Sequence, residues 1–247
     1  MASAQAEDGS FPTDSTLSLL LDGEKTSTTF RVIRSFTPFT KGQVYLVEYS
    51  HSEFPAKLIL KVYDPRFLDD RRLKPHESWT LAMESLVVQK WEQGQISDDF
   101  NICDLDDDVE LEPWHWEAAL LFVGENVQNG GCGIQEVASD AGPVYSQVLW
   151  VWKIAAHPAQ SRATQPRAIL IEYIPGVTLH DVDSTVVRPK LYRSLMGAVT
   201  RFDSLGVNHY DINANNIMLA PPKAPKRMVV IDFGFAGVRR EGMTDEE

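Results

Sequence analysis

Cysteine is nearly absent from this chain, which has two in 247 residues, Cys103 and Cys132, in no metal-like spacing. That scarcity weighs against a disulfide-stapled secreted domain and against a zinc site, and implies a reducing compartment. Long apolar runs are missing too. Leu17 to Leu21 is too short, and lacks the basic flank, for a signal peptide or a membrane span, so the expectation is an intracellular protein, cytoplasmic or nuclear, with no membrane partner. Basic residues are few: 23 Lys and Arg against 35 Asp and Glu give a formal net charge of −12, which disfavours nucleic acid as a partner. What is present is ordinary globular composition, 43% hydrophobic, enough for one sizeable core or two small lobes.

The most informative stretch runs from Asn208 to Gly234. An acid (Asp211), an amide five residues later (Asn216) and a second acid (Asp232) closing an apolar β-branched run form the set that magnesium-dependent phosphoryl transfer requires. Asp211 can orient a hydroxyl nucleophile, while Asn216 and Asp232 can offer oxygens to a hard cation that bridges nucleotide phosphates. Ile217 to Leu219 and Met228 to Ile231 read as two strands of one hairpin, with prolines in the turn between them. The plainer reading of the same residues is a buried hairpin followed by a Phe-Gly turn.

Elsewhere the pattern predicts a flexible lead-in over residues 1–28, with order beginning near Thr29. Three strands follow, at Phe30 to Arg34, Gln43 to Tyr49 and Ala56 to Tyr63, the last with Leu58, Leu60 and Val62 on one face. A helix is expected from Pro75 to about Gln93, stopped by Gly94, with Trp79, Ala82, Met83, Leu86, Val87 and Trp91 as its buried stripe. The acid-dense run Ser97 to Glu112 reads as a solvated loop opening an insertion over about 95–143, and Asn129 to Gly133 as a turn; a further strand is expected at Tyr145 to Ile154. Ala168 to Ile174 reads as a buried strand ending in a Pro-Gly break. The next helix spans Pro189 to Leu205, closed by Gly206, with Leu191, Leu195, Val199 and Phe202 inward.

His209-x-Asp211-x-x-x-x-Asn216 followed by Asp232-Phe233-Gly234 resembles the catalytic loop and metal-binding turn of the eukaryotic protein kinase superfamily. The resemblance implies an α+β, two-lobed kinase-like fold, with an antiparallel-sheet N-lobe over 29–174 and a small, abbreviated helical C-lobe over 175–247. It implies ATP and Mg2+ as cofactors and a protein serine or threonine as acceptor. Lys61 then corresponds to the strand lysine that touches the α and β phosphates, and Glu84, in preference to Glu77, to its helix partner. Ile171 would line the pocket behind the adenine, and backbone near Glu172 and Ile174 would pair with the adenine edge. Asp211 and Asn216 would be catalytic, and Asn216 and Asp232 would hold the metal. His209 would be structural, packed beneath the Asp232 turn. The chain departs from the pattern in three places. The loop Ser35 to Gly42 has a single glycine, Asn213 stands where many serine/threonine kinases have a lysine, and only Phe235 to Glu247 follow the metal-binding turn. The texture is similar to the short kinase-like proteins of fungi. Two alternatives stay open: a non-catalytic kinase-like module that binds nucleotide or a partner, and a small-molecule kinase of the aminoglycoside phosphotransferase type.

Overall fold

In a computed structural model of the chain, the residues described are 10–21, 27–39, 42–49, 55–67, 78–97, 100, 105, 111–121, 148–154, 166–234 and 236–238. They form two compact units, divided between Leu170 and Ile171. The class is α+β, as the sequence implied.

The first unit is built on six strands: β1 (Thr16–Leu21), β2 (Ser27–Phe36), β3 (Gln43–Glu48), β4 (Lys57–Tyr63), β5 (Val148–Ile154) and β6 (Arg167–Glu172), of which Val148, Leu149, Ile171 and Glu172 are counted with the second. They curl into a barrel in the order β1-β2-β3-β4-β6-β5, closed by antiparallel pairing of β1 with β5. Inward positions alternate as a half-buried strand requires: Phe30 and Val32 on β2, Tyr45 and Val47 on β3, and Leu58, Leu60 and Val62 on β4 are all buried. Phe11 and Phe39 each bring a ring to 5.5 Å from that of Tyr45.

Order begins earlier than Thr29. Residues Thr16–Leu21, expected within a flexible segment, form β1, in register with β2 through Thr16 opposite Arg31 and Leu19 opposite Thr28. The physical reason is a period-two pattern, with Leu17 and Leu19 buried and Thr16 and Ser18 alternating with them, on a strand that covers the otherwise unpaired edges of β2 and β5.

The helix expected from Pro75 starts later, as α1 (Leu81–Glu92), because Thr80 supplies an N-cap: its hydroxyl accepts from the Met83 N–H at 3.2 Å. Pro75 and Glu77 lie outside the described residues. The expected apolar stripe is only partly inward. Val87 is buried, but Leu86 and Trp91 are 38% and 40% exposed. Val87 packs instead with Ile96 and with Ala118 of a second helix, α2 (Pro113–Leu121), which the insertion contributes and the sequence reading lacked. Most of the acid run and all of Asn129 to Gly133 lie outside the described residues.

The second unit contains β7 (Val177–Thr178), α3 (Pro189–Ser204), β8 (Val207–Asn208), β9 (Ile217–Ala220), β10 (Arg227–Val230) and β11 (Gly237–Val238). β9 and β10 are the anticipated hairpin, with Leu219 opposite Met228 and Ile217 opposite Val230; β7 lies on the other side of β9. Leu191, Leu195, Ala198 and Phe202 of α3 pack on Ile217, Leu219, Met228 and Val230. Pro189 opens α3 at a position where its missing N–H costs nothing, and Gly206, at φ +69°, ends it in the left-handed conformation. β8 and β11 pair antiparallel and bracket the loop of interest.

Candidate functional site

The loop that leaves β8 is organised by His209, which is 4% exposed. Its Nδ1 accepts the Asp211 N–H at 3.3 Å, so the ring is protonated on Nε2, which donates to the Ile231 carbonyl at 3.0 Å. The imidazole lies 4.5 Å from the Phe233 ring, and Phe233 meets Phe202 of α3 edge-on at 5.4 Å. His209 thus fastens the Asp211 loop to the Asp232 turn and to the core beneath, in the structural role the sequence reading gave it.

Asp211 is held from two sides. The Asn213 side-chain amide donates to its Oδ1 at 2.8 Å, and the Asn216 amide to its Oδ2 at 2.7 Å. Residues Ala214–Asn216 form one 3-10 turn, started by the Asn213 carbonyl oxygen Oδ1, which accepts the Asn215 N–H at 2.9 Å. β7 and the residues after it brace this turn, through Leu179 N–H to the Ile217 carbonyl at 2.7 Å and His180 N–H to the Ala214 carbonyl at 3.0 Å. The Ile231 N–H then donates to the Asn216 carbonyl at 2.9 Å, extending the β9–β10 pairing by one step. Asn216 is therefore a cross-strand neighbour of the residue just before Asp232. Asp232 is exposed at φ +59°, and its Oδ1 accepts the Gly234 N–H at 3.3 Å, closing a tight turn.

This arrangement can receive a hard cation. Because the Asn216 nitrogen faces Asp211, its carbonyl oxygen faces away from Asp211, and the Asp232 carboxylate is exposed; both are the hard oxygen donors such a cation takes. Two oxygen donors of this kind suit magnesium, which takes few protein ligands and completes its shell with phosphate and water. Among the described residues no three His, Cys, Asp or Glu side chains gather into a metal-holding group.

In the first unit, Lys61 stands on β4 opposite Val44 of β3, half-buried, with its ammonium 5.5 Å from the Tyr63 ring centroid. A Cβ on Gly42 would sit 3.0 Å from Lys61 Cε, so the single glycine of the β2–β3 loop lies against the lysine stem. Glu84 is 1% exposed and accepts a hydrogen bond from Trp79 Nε1. It belongs to the first turn of α1, not to the middle of a longer helix as the sequence suggested. Trp79 as a donor to Glu84 went unforeseen, as did the donation from Asn213 to Asp211. An amide two residues after the acid was a signal for the second; nothing local distinguished Trp79 from a core residue.

Of the residues read as a hinge, Ile171 is half-buried, Glu172 meets Arg227 of β10 at 3.4 Å, and Ile174 is buried against Ala220 and Val229. Strand lysine, glutamate helix, Asp211 loop and Asp232 turn follow one another in the expected order on a curled antiparallel sheet and a small helical unit. That order, and an antiparallel-sheet unit followed by a small helical one, are what a kinase-like fold implies.

No protein-family model matches the chain, and no curated protein does. Solved structures of the Mycobacterium tuberculosis PknI kinase domain are similar to it. The domain itself is 17% identical with a TM-score of 0.44, over 83% of this chain and 58% of that one. A single-site mutant of that domain is 17% identical at TM-score 0.44, over 84% and 60%, and a double mutant 19% identical at 0.43, over 84% and 61%. The chain thus spans about three fifths of the length of these kinase domains. Among the described residues no helix is long and apolar enough to cross a membrane.

Proposed function

We propose that the protein is a magnesium-dependent phosphotransferase of protein kinase type, moving the γ-phosphate of ATP to a hydroxyl of a protein serine or threonine. The observation that carries this reading is the Asp211–Asn216–Asp232 arrangement, in which one amide immobilises the acid that would align the hydroxyl, on a residue paired across the hairpin with the one just before a second acid. In this role Asp211 holds the acceptor in line with the phosphorus. Positioning contributes more than basicity, because the transition state for phosphoryl transfer is loose. Asn216 and Asp232 would hold the magnesium, which would neutralise negative charge on the nucleotide phosphates, and Lys61, oriented by Glu84, would supply a cation for the α and β phosphates. Ile171 lines the adenine pocket, and the backbone near Glu172 and Ile174 pairs with the adenine edge.

A second reading, a nucleotide- or partner-binding module without turnover, is favoured by two features. The lone glycine of the phosphate-covering loop is occupied by the lysine stem, and Asn213 brings no positive charge. The test is a thermal shift with ATP, with and without magnesium, on the wild-type chain and on Asp232→Ala, followed by an assay of ADP formation. A ligand that binds only the folded state raises the melt with its occupancy. A magnesium-dependent shift lost in the variant, together with ADP formation, supports phosphotransfer. A shift without turnover leaves the binding module, and no shift in a cooperatively melting chain refutes both as nucleotide sites.

A further inference from the structure

We propose that Asn213 is a positioning residue that acts through Asp211, so that two amides, and not one amide and a cation, set the acid for transfer. The inference rests on the phosphotransfer reading above and adds to it a residue and a mode of action. A primary amide has two N–H donors. Those of Asn216 reach Asp211 Oδ2 at 2.7 Å and the Asp211 main-chain carbonyl at 2.9 Å; those of Asn213 reach Asp211 Oδ1 at 2.8 Å and the same carbonyl at 3.3 Å. The orientation of both amides is fixed by chemistry, since every group they face on Asp211 is an oxygen acceptor. The carboxylate is gripped on both oxygens and its backbone on the third, which leaves the carboxylate no rotation about its terminal bond without breaking two bonds at once. The Asn213 oxygen is committed as well, to the Asn215 N–H at 2.9 Å, and so the amide is pinned at both ends.

Each oxygen of Asp211 keeps a lone pair, and an acceptor hydroxyl then finds a carboxylate with one orientation already selected. Misplacement of an aligning group by about 1 Å can reduce a rate roughly 100-fold, so a clamp of this kind acts on the catalytic step and not on nucleotide affinity.

Two substitutions separate the clamp from the turn that Asn213 also starts. Asn213→Ser keeps an oxygen for the Asn215 N–H but is too short to reach Asp211, whereas Asn213→Ala loses both. The assay is ADP formation from magnesium-ATP with water as acceptor, together with the denaturation midpoint. The expected result is a kcat lowered roughly 10-fold to 100-fold in both variants, with the KM for ATP unchanged and the midpoint lowered only in Asn213→Ala. Wild-type kcat in Asn213→Ser, or a change confined to KM, overturns the proposal. Should the wild-type chain turn over no ATP either with water or with a serine- and threonine-containing protein as acceptor, the phosphotransfer reading fails and the clamp is read by NMR. Slowly exchanging Asn213 side-chain amide protons that become fast in Asp211→Ala support it, and fast exchange in the wild-type chain refutes it.

Discussion

Exchanging glycine for alanine adds the same methyl group at Gly176 and at Gly197, yet the structure requires opposite outcomes. A Cβ at Gly176 would stand 2.6 Å from the Leu219 carbonyl oxygen and 3.2 Å from its carbon, with Met218 Cε also at 3.2 Å. Leu219 is a fully buried residue on the middle strand of the β10-β9-β7 sheet, paired to Val177 on one side and Met228 on the other, so its backbone cannot retreat without disturbing both ladders. Overpacking of this kind costs about 1–3 kcal/mol. Gly197 lies inside α3, exposed, and nothing stands within 4 Å of its Cβ position. Alanine there removes a helix-interior glycine and gains about 0.5–1 kcal/mol. For a chain of this size 1 kcal/mol moves the melt by roughly 2–4 °C. Gly176→Ala is therefore expected to melt lower by roughly 2–12 °C and Gly197→Ala higher by roughly 1–4 °C, compared in one calorimetric series. A Gly176→Ala chain that melts with the wild type would refute the close approach of β7 to β9. A destabilised Gly197→Ala chain would refute the placement of that residue on an open helix face.

Met228 is fully buried among the apolar residues of α3 and β9, and Met228→Ala should cost about 2–5 kcal/mol, read as a lower urea midpoint with an unchanged slope. His209→Leu fills the same space but leaves the Ile231 carbonyl and the Asp211 N–H without their partner. A loss of about 1–3 kcal/mol per orphaned group is expected in chemical denaturation, and a loss indistinguishable from zero would mean that water replaces the ring. The Asp183 carboxyl is held below its usual range of 3.8, first by the backbone N–H of Thr185 and then by the Thr185 side chain. A depressed folded-state value means that its contribution is present above the unfolded value and is lost as pH falls through the folded one. The stability gap between wild type and Asp183→Ala should thus be constant from neutrality down to about 3.8 and close below it; a gap that widens in acid would contradict this.

How much was legible follows from the range of the determinants. The β9–β10 hairpin and α3 were readable because their signals are local: β-branched runs about a proline turn, Pro189 at the start, Gly206 at the end, and apolar residues at helical spacing. The placement of His209 followed from its position before the acid loop. β1 was hidden because a short alternation of Leu with Thr and Ser looks like any polar segment until β2 and β5 offer it edges, and those edges come from residues up to 135 positions away, as Leu19 opposite Ile154 shows (154 − 19 = 135). The start of α1 was misplaced because Pro75 and Thr80 are both good helix openers, and the Thr80 bond to Met83 decided between them. The stripe of α1 was misjudged because α2, which covers Val87 but leaves Trp91 exposed, comes from the insertion. The Asp211 clamp is a different case. The residues were visible, but a sequence does not state which way an amide points.

Asp232 bears on whether the site was shaped for stability or for ligand. At φ +59° an L-residue with a Cβ pays about 1–2 kcal/mol relative to a right-handed conformation, and a short polar side chain offsets part of this by bonding its own turn, as Oδ1 does with the Gly234 N–H. If the turn were selected for folding alone, glycine would serve at least as well. The expected order of stability is Asp232→Gly at or above wild type, Asp232→Asn near wild type because it keeps the turn acceptor, and Asp232→Ala lowest, about 1–2 kcal/mol below Asp232→Gly. The magnesium-dependent part of any ATP-induced shift should disappear in Asp232→Gly and Asp232→Ala alike, since both lack the oxygens. A stabilised but ligand-blind glycine variant would show that the acid is kept in a strained conformation for what it binds. An alanine variant as stable as the glycine one would show that the turn carries no strain, and would remove that argument for a ligand site at Asp232.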